Sequence, residues 1–229
     1  AADMILTDDN FASIVNAVSE GRTIYSNIRK VVGFLLSCNI GEILVIFIAM
    51  LAKLPTPLVA IQLLSINLIT DAFPAFALGM EKEESNVMEH EPRDPQEPIV
   101  DRKMRNSVLL QSLFLALGTL ASFLYALHFH GNLEDARTAA FLTIVLGELM
   151  RAYSARSESK SIFKMKLFEN SYLNKSVLLS VVFVFSAIYI PVLNPIFSTT
   201  ALAMDELLVA ILFAIIPLFG GEIAKKFNN

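Results

Sequence analysis

The chain has 229 residues, 55% of them hydrophobic, and its mean hydropathy of +0.58 is too high for an ordinary soluble domain. The formal charge of -4 and the lack of a basic excess argue against nucleic acid as a partner. With Cys38 as its single cysteine, the chain can form neither an internal disulfide nor a CxxC metal site. These properties predict a membrane protein.

The first 30 residues are expected to precede the membrane. Within residues 1–10 the sequence MILTDD predicts a short buried strand. The helix that follows can be capped by Asp8, Asp9 or Asn10. Apolar residues recur at near-helical spacing from Ile14 to Ile28, so residues 11–30 should form a stalk helix that continues into the membrane. The N-terminus has neither a starting Met nor a basic leader, which favours the middle of a longer polypeptide.

Stretches of about 20 residues with few charges follow, each long enough for a helix to cross the hydrocarbon core. They are 31–52, 58–79, 106–128, 136–153, 173–193 and 205–224. Between the second and third spans, the charged and proline-containing residues 80–105 predict a loop. Lys and Arg accumulate before the first span and after the second, fourth and sixth, which predicts that both termini are cytoplasmic.

Polar side chains interrupt the apolar spans. A charged group at mid-bilayer is penalised by at least about 2.5 kcal/mol, so such groups usually have a partner or a function. Two polar residues of the first span lie at i and i+3, and three of the second lie at i, i+3 and i+4, so each set shares one helical face. A further carboxylate lies in the fourth span. The candidate cation ligands are therefore Asn39, Glu42, Asn67, Thr70, Asp71 and Glu148.

These candidates offer hard oxygen atoms, which favours Ca2+ or an alkali cation over zinc or copper. Pro74 adds a backbone effect, because it has no N–H and its ring clashes with the carbonyl of Thr70. That carbonyl is expected to be free beside Asp71, where a cation could bind it. The alternative is that the polar residues only form hydrogen bonds between helices.

Two other residues of the spans are interpreted differently. Cys38 faces about 100° away from Asn39 on the helix, so it is interpreted as a small packing residue. Arg151 lies one turn from Glu148 and could pair with it or reach the cytoplasmic interface. Its positive charge could also take the place of a bound ion electrostatically.

Several segments of the chain resemble the C-terminal part of P-type cation-transporting ATPases, above all calcium pumps of the sarcoplasmic-reticulum kind and their bacterial relatives. These segments are NIGE, NLITDAFPAFALGME, EPRDPQEP, GELMRAYSARSESKSIF and the first 30 residues. The resemblance implies an all-α membrane protein with six transmembrane helices, an N-terminal cytoplasmic stalk helix and a short strand remnant of an α/β phosphorylation domain. Residues 1–10 would end that domain, 11–30 would be the stalk, and 31–229 would form the six-helix cation-transport domain.

The resemblance also implies a function. The chain would be the cation-translocation portion of an ATP-driven pump in the cell membrane, exporting Ca2+ through a site between the first, second and fourth spans. Its partners would be the lipid bilayer, the transported cation and the N-terminal part of the same pump. ATP and Mg2+ would act through upstream domains, which carry the phosphorylated aspartate of the family. The alternatives are an ATP-independent cation channel or exchanger, or a pump for Mn2+, Na+ or K+.

Overall fold

The computed structural model describes residues 10–83, 88 and 97–228, and all regular elements within these residues are helical. The strand predicted from MILTDD lies outside the described residues. So does part of the predicted loop, at 84–87 and 89–96.

Helix α1, Phe11–Leu51, joins the predicted stalk to the first predicted span without a break. Of the three possible caps, Asn10 begins the helix, because its side chain accepts a hydrogen bond of 3.0 Å from the Ala12 N–H. Just past the end of the helix, Lys53 adopts a left-handed backbone conformation with φ 56°. The predicted continuity of stalk and span is confirmed.

The second predicted span consists of three consecutive segments. Helix α2, Ala60–Ser65, leads into one wide π-helical segment, Ile66–Asp71, which we call the π turn, and helix α3, Ala72–Gly79, follows it. The π turn contains three of the candidate ligands. The backbone of the second span is therefore irregular at the place where its polar residues lie.

The rest of the described chain is also helical. The remaining helices are α4 (Arg102–Phe129), α5 (Leu133–Ser154), α6 (Ser171–Tyr189), α7 (Asn194–Phe197), α8 (Met204–Phe213) and α9 (Ile216–Asn228). Two short 3-10 turns, Ile162–Lys164 and Leu167–Glu169, lie between α5 and α6. The last predicted span, 205–224, is divided between α8 and α9.

Five helical stretches of the described chain are long and apolar enough to cross a membrane. They are Ala12–Leu51, Ala60–Gly79, Arg102–Phe129, Ser171–Tyr189 and Met204–Lys226. The predicted fourth span forms helix α5, but α5 is not among these five. Most of its residues are buried, so neighbouring helices surround it in the bundle. The chain is a multi-pass membrane protein, and the count of six spans stays a prediction.

Helix α5 lies at the centre of the bundle, in contact with α4, α6, α8 and α9. Phe123 of α4 and Phe141 of α5 belong to the largest apolar cluster of the described residues. Small residues allow the helices to approach closely: a Cβ added at Gly118 would lie 2.8 Å from the Phe213 carbonyl oxygen. This packing holds α5, and the polar residues on it, against α1 and the π turn.

Candidate cation site

Helix α1 and the π turn meet through a carboxylate and an amide. The Asn67 side chain donates to both carboxylate oxygens of Glu42, at 3.1 and 2.8 Å, and to the Leu63 carbonyl at 3.0 Å. Glu42 is buried, with 7% of its surface exposed. Asn67 therefore orients the Glu42 carboxylate and compensates part of its desolvation.

The carboxylates of Asp71 and Glu148 lie deeper, with 1% and 0% of their surfaces exposed. All four of their carboxylate oxygens are buried and accept no hydrogen bond from the described residues. A ligand oxygen of each lies within 4.8 Å of the other and of the Cys38 sulfur. Buried carboxylates without donors are costly, and a bound cation would supply the missing partner. We call this group of three the buried cluster.

Cys38 was interpreted as a small packing residue, and it does pack in an apolar cluster with Phe34 and Leu78. The structure adds a second feature that was not predicted, because its sulfur also lies at the buried cluster. Cys38 is fully buried beside Asp71 and Glu148. A helical rotation of about 100° from Asn39 turns Cys38 away from that residue, but it does not turn it away from the site. The signal was present in the sequence, because Cys38 and Glu42 are spaced i and i+4 and so share a face of α1.

Arg151 makes neither of the two contacts predicted for it. Its side chain does not hydrogen-bond to Glu148, whose carboxylate oxygens accept from none of the described residues, and it does not reach the surface, since only 2% of the residue is exposed. The guanidinium instead donates to the Ser37 hydroxyl, to the Gln111 side-chain oxygen at 2.9 Å and to the Cys38 sulfur at 3.7 Å. The arginine thus places a fixed positive charge next to the buried cluster.

The remaining two candidate ligands donate to backbone within their own helices. Asn39 donates to the Leu35 carbonyl at 2.8 Å, and the Thr70 hydroxyl donates to the Ile66 carbonyl at 2.9 Å. Donation uses hydrogen atoms and leaves oxygen lone pairs on both side chains. Both of these bonds lie within one helix, whereas the Asn67–Glu42 hydrogen bonds join α1 to the π turn, as the alternative interpretation expects. That Asn39 and Thr70 are cation ligands stays a prediction.

The backbone before Pro74 departs from the α-helix, although in a form that the sequence did not predict. At this place the chain forms the π turn, whose last residue, Asp71, lies three residues before the proline. Hydroxyls of α6 reach backbone carbonyls around this irregular stretch: Ser180 donates to Ile69 at 3.5 Å and Ser176 to Phe73 at 3.1 Å. The free Thr70 carbonyl stays a prediction.

Comparison with known proteins identifies the family. The family model described as "Cation transporting ATPase, C-terminus" matches residues 55–227. The chain belongs to this family. The resemblance to the C-terminal part of a P-type, calcium-pump-like ATPase is thereby confirmed.

Relatives of this cation-transporting ATPase segment are found in bacteria and animals. A calcium-transporting ATPase of Bacillus subtilis (strain 168) is 43% identical over 220 residues, which are 96% of this chain and 25% of that relative. Calcium-transporting ATPase 1 of Bacillus cereus is 39% identical over 98% of the chain and 27% of the relative. Calcium-transporting ATPase type 2C member 1 of Homo sapiens is 35% identical over 100% of the chain and 25% of the relative. The chain thus spans about a quarter of the length of these curated relatives.

At the end of α3, the ATPase segment joins α1, which carries Asn39 and Glu42, to the helix that follows the π turn. The side chain of Asn27, on the predicted stalk, donates to the carbonyls of Gly79 at 3.3 Å and Glu81 at 2.7 Å. The Glu81 carboxylate in turn pairs with Arg156 at 2.7 Å and accepts a hydrogen bond of 2.7 Å from Asn170. We call these the Glu81 contacts. Through them, a movement of α1 would pull on α3 and the loop after α5.

A second link joins α1 to the start of α4. Arg29 pairs with Asp101 at 2.9 Å, and Asp101 also caps α4 by accepting from the Met104 N–H at 2.7 Å. Burial alone would raise the pKa of the Asp101 carboxyl, but the hydrogen bonds from Met104 and Arg29 lower that pKa below its ordinary value. The ionised carboxylate thus binds both partners at neutral pH.

Proposed function

We propose that this chain is the cation-translocation part of an ATP-driven P-type pump and that it transports Ca2+ between α1, the π turn and α5. The observation that carries the proposal is the pair of buried carboxylates, Asp71 and Glu148, whose four oxygens have no hydrogen-bond donor among the described residues. Ca2+ takes about 6–8 oxygen ligands. The two carboxylates would bind the ion with Asn39, Glu42, Asn67 and Thr70.

The identity of the ion is supported by ligand chemistry and by the relatives. Carboxylate, amide and hydroxyl oxygens are the ligands that Ca2+ prefers. Three of the relatives are named calcium-transporting ATPases. We expect the positive charge of Arg151, fixed beside the buried cluster, to take the place of a second cation, so that one Ca2+ binds here.

The coupling to ATP would run through α1. ATP and Mg2+ would act on upstream domains of the same pump, and phosphorylation there would shift the stalk. Because α1 is a single helix of 41 residues, about 60 Å long, a tilt at its stalk end would displace Glu42. The Glu81 contacts would pass the same movement to α3 and the π turn. Such a shift would switch the site between inward and outward access.

The membrane topology is part of the proposal. We place the two termini, the Glu81 contacts and the loop between α3 and α4 on the cytoplasmic side, because the basic residues accumulate there. The turns at residues 52–59 and 130–132 would then face the opposite side. The predicted fourth span, α5, would cross the membrane inside the bundle, shielded from lipid by its neighbours.

The experiment is cation-stimulated ATP hydrolysis by the full-length protein in liposomes, tested with Ca2+, Mn2+, Na+ and K+. We expect Ca2+ to stimulate hydrolysis and ATP to drive Ca2+ uptake, with no uptake when ATP is omitted. The matched control is the Glu206→Gln variant, which neutralises a buried carboxylate outside the site. Cation flux without ATP would favour the channel or exchanger instead, and stimulation by only Na+ or K+ would contradict the assignment of the ion.

A further inference from the structure

The buried cluster contains a sulfur atom that a site for Ca2+ does not need. Cys38 is 0% exposed, and its sulfur lies within 4.8 Å of a carboxylate oxygen of Asp71 and of Glu148. Ca2+ is a hard cation that binds oxygen, so it gains little from a thiol. The question is therefore which cation would bind the Cys38 sulfur together with the carboxylates of Asp71 and Glu148.

A packing role accounts for only part of the surroundings of this cysteine. A packing cysteine behaves as a small apolar residue among other apolar residues, and Cys38 does belong to an apolar cluster with Phe34 and Leu78. Its sulfur, however, also lies close to the two carboxylates and 3.7 Å from the Arg151 guanidinium. The carboxylates themselves are at least nine-tenths buried and accept no hydrogen bond from the described residues, which independently points to a ligand at the same place.

Arg151 contacts the Cys38 sulfur, but its guanidinium does not occupy the place of a cation between the three side chains of the buried cluster. Its guanidinium is held by the Ser37 hydroxyl and the Gln111 side-chain oxygen, and it stacks near the Phe34 ring, 5.9 Å from the ring centroid. The N–H that faces the sulfur approaches from α5, while Cys38 itself lies on α1. The sulfur is thus positioned from one side and remains able to bind a cation with the carboxylates.

We propose that the buried cluster also binds thiophilic divalent cations of the Cd2+ and Zn2+ class, with the Cys38 sulfur as a ligand beside Asp71 and Glu148. The inference rests on the proposed function, since it assigns a second class of ion to the same site. One thiolate with two carboxylates is a ligand set that such ions accept, whereas Ca2+ uses the oxygens alone. When the ion binds, the S–H bond breaks, a metal–sulfur bond forms and the proton is released to solvent.

The test compares the full-length wild-type protein with its Cys38→Ser variant, using CdCl2 as the probe. Cd2+ bound to a thiolate has an ultraviolet sulfur-to-metal charge-transfer band, and the difference between the two proteins isolates the contribution of Cys38. Titrations of Cd2+ and Ca2+ on the same samples give the ratio of the two Kd values. We expect Cd2+ to displace Ca2+ from the wild-type protein and to produce a band that Cys38→Ser lacks.

The variant should also raise the ratio of the Cd2+ Kd to the Ca2+ Kd at least about tenfold, because even partners outside the first shell of a metal change its affinity by ~10–100-fold. Thr119→Ser is the matched control, since the Thr119 hydroxyl is buried and donates within its own helix to the Leu115 carbonyl. It should change neither the band nor the ratio.

Each other outcome decides against the inference. An unchanged band and ratio in Cys38→Ser, with Ca2+ binding retained, would refute the sulfur ligand and leave the proposed function standing. If Cys38→Ser bound both ions equally less tightly than the wild type, and the wild-type protein showed no charge-transfer band, Cys38 would be a structural residue. A wild-type protein that binds neither ion would refute the proposed function as well.

Discussion

At the scale of single residues, the acidic groups of the site differ in how their charge is compensated. Glu42 is compensated by the Asn67 amide, which donates to both of its oxygens. Asp71 and Glu148 have no such donor among the described residues. We infer that Asn67 keeps Glu42 oriented before a cation binds, and that the other two carboxylates gain most from its arrival.

Asn67→Ala tests the orienting role. Removing the amide leaves Glu42 without its donor and removes one oxygen ligand, so we expect the Ca2+ Kd of the full-length protein to rise about tenfold, on the basis of ~1–3 kcal/mol for an unsatisfied buried acceptor. The measurement is equilibrium Ca2+ binding. Ser65→Ala is the control, because that buried hydroxyl donates to the Ile61 carbonyl of its own helix and should leave the Kd unchanged. Equal Kd values in Asn67→Ala and wild type would contradict the assignment.

The sequence predicts candidate ligands, but it does not predict which side chains of different helices lie together. Helical spacing brings Asn67, Thr70 and Asp71 to one face without any tertiary information. Spacing on one helix does not say which neighbours that helix faces, so it did not predict the position of Cys38 beside Asp71 and Glu148. The inward turn of Arg151 depends on Ser37 and Gln111, which lie on other helices and far away in sequence. Contacts between residues that are far apart in sequence depend on how the helices pack, so helical spacing does not predict them.

At the scale of elements, the π turn is the feature that gives the second span its irregular backbone. It ends three residues before Pro74, and hydroxyls of α6 satisfy carbonyls around it. An uninterrupted α-helix would bond its carbonyls within the helix. The π turn therefore provides the irregular backbone that a cation site inside a membrane can use.

Pro74→Ala restores a backbone donor opposite the Thr70 carbonyl. We expect tighter helix continuity, seen as slower amide hydrogen exchange at residues 70–73, and an increase of about fivefold in the Ca2+ Kd, equivalent to about 1 kcal/mol for one lost ligand interaction. Pro55→Ala, in the exposed turn between α1 and α2, is the control and should change neither quantity. An unchanged Kd would mean that Pro74 only shapes the packing of α3.

Close helix contacts lead to a separate prediction about stability. Gly118→Ala would place a methyl group 2.8 Å from the Phe213 carbonyl oxygen, so one helix has to move. We expect a loss of ~1–3 kcal/mol, measured as a lower unfolding temperature in detergent. Gly21→Ala has nothing within 4 Å of the added Cβ and should instead stabilise α1 by up to about 1 kcal/mol. A destabilising Gly21→Ala or a neutral Gly118→Ala would contradict the described packing.

Helix ends show what local sequence can and cannot predict. The start of α1 follows from its cap at Asn10, and the length of the helix follows from its apolar run. The division of the last span between α8 and α9 was not predicted, although Pro217 is the second residue of α9 and cannot continue an α8 hydrogen-bond ladder. Helix α5 can have a low hydropathy because it lies at the centre of the bundle, where other helices surround it.

At the scale of the whole molecule, the bundle links the stalk to the site by two routes. Helix α1 runs directly from the predicted stalk to Glu42, and the Glu81 contacts join Asn27 to the end of α3. The first route reaches Glu42 directly, and the second reaches α3, which follows the π turn and its candidate ligands. A pump requires such a connection between its ATP-dependent domains and its membrane site, because the two are far apart.

The orientation of the bundle can be tested by labelling. Single cysteines placed at Ser159 and Asn132, both exposed, should react with a membrane-impermeant reagent from opposite sides. We expect Ser159 to be labelled only from the cytoplasm and Asn132 only from outside, because the basic residues lie on the Ser159 side. Labelling of Asn132 from the cytoplasm would reverse the order of the hairpins. The predicted loop position Asn86, outside the described residues, should behave like Ser159.

The most direct test of the whole account is equilibrium binding of radioactive Ca2+ to the full-length protein with Asp71→Asn. This change keeps the shape of the side chain and removes its charge from the buried cluster. Glu206→Gln is the matched control, because Glu206 is also a buried carboxylate, 2% exposed, but lies at the start of α8, away from the cluster. The account predicts that Asp71→Asn abolishes saturable Ca2+ binding while the protein remains folded, and that Glu206→Gln binds one Ca2+ as the wild type does. Wild-type Ca2+ affinity in Asp71→Asn would contradict the account.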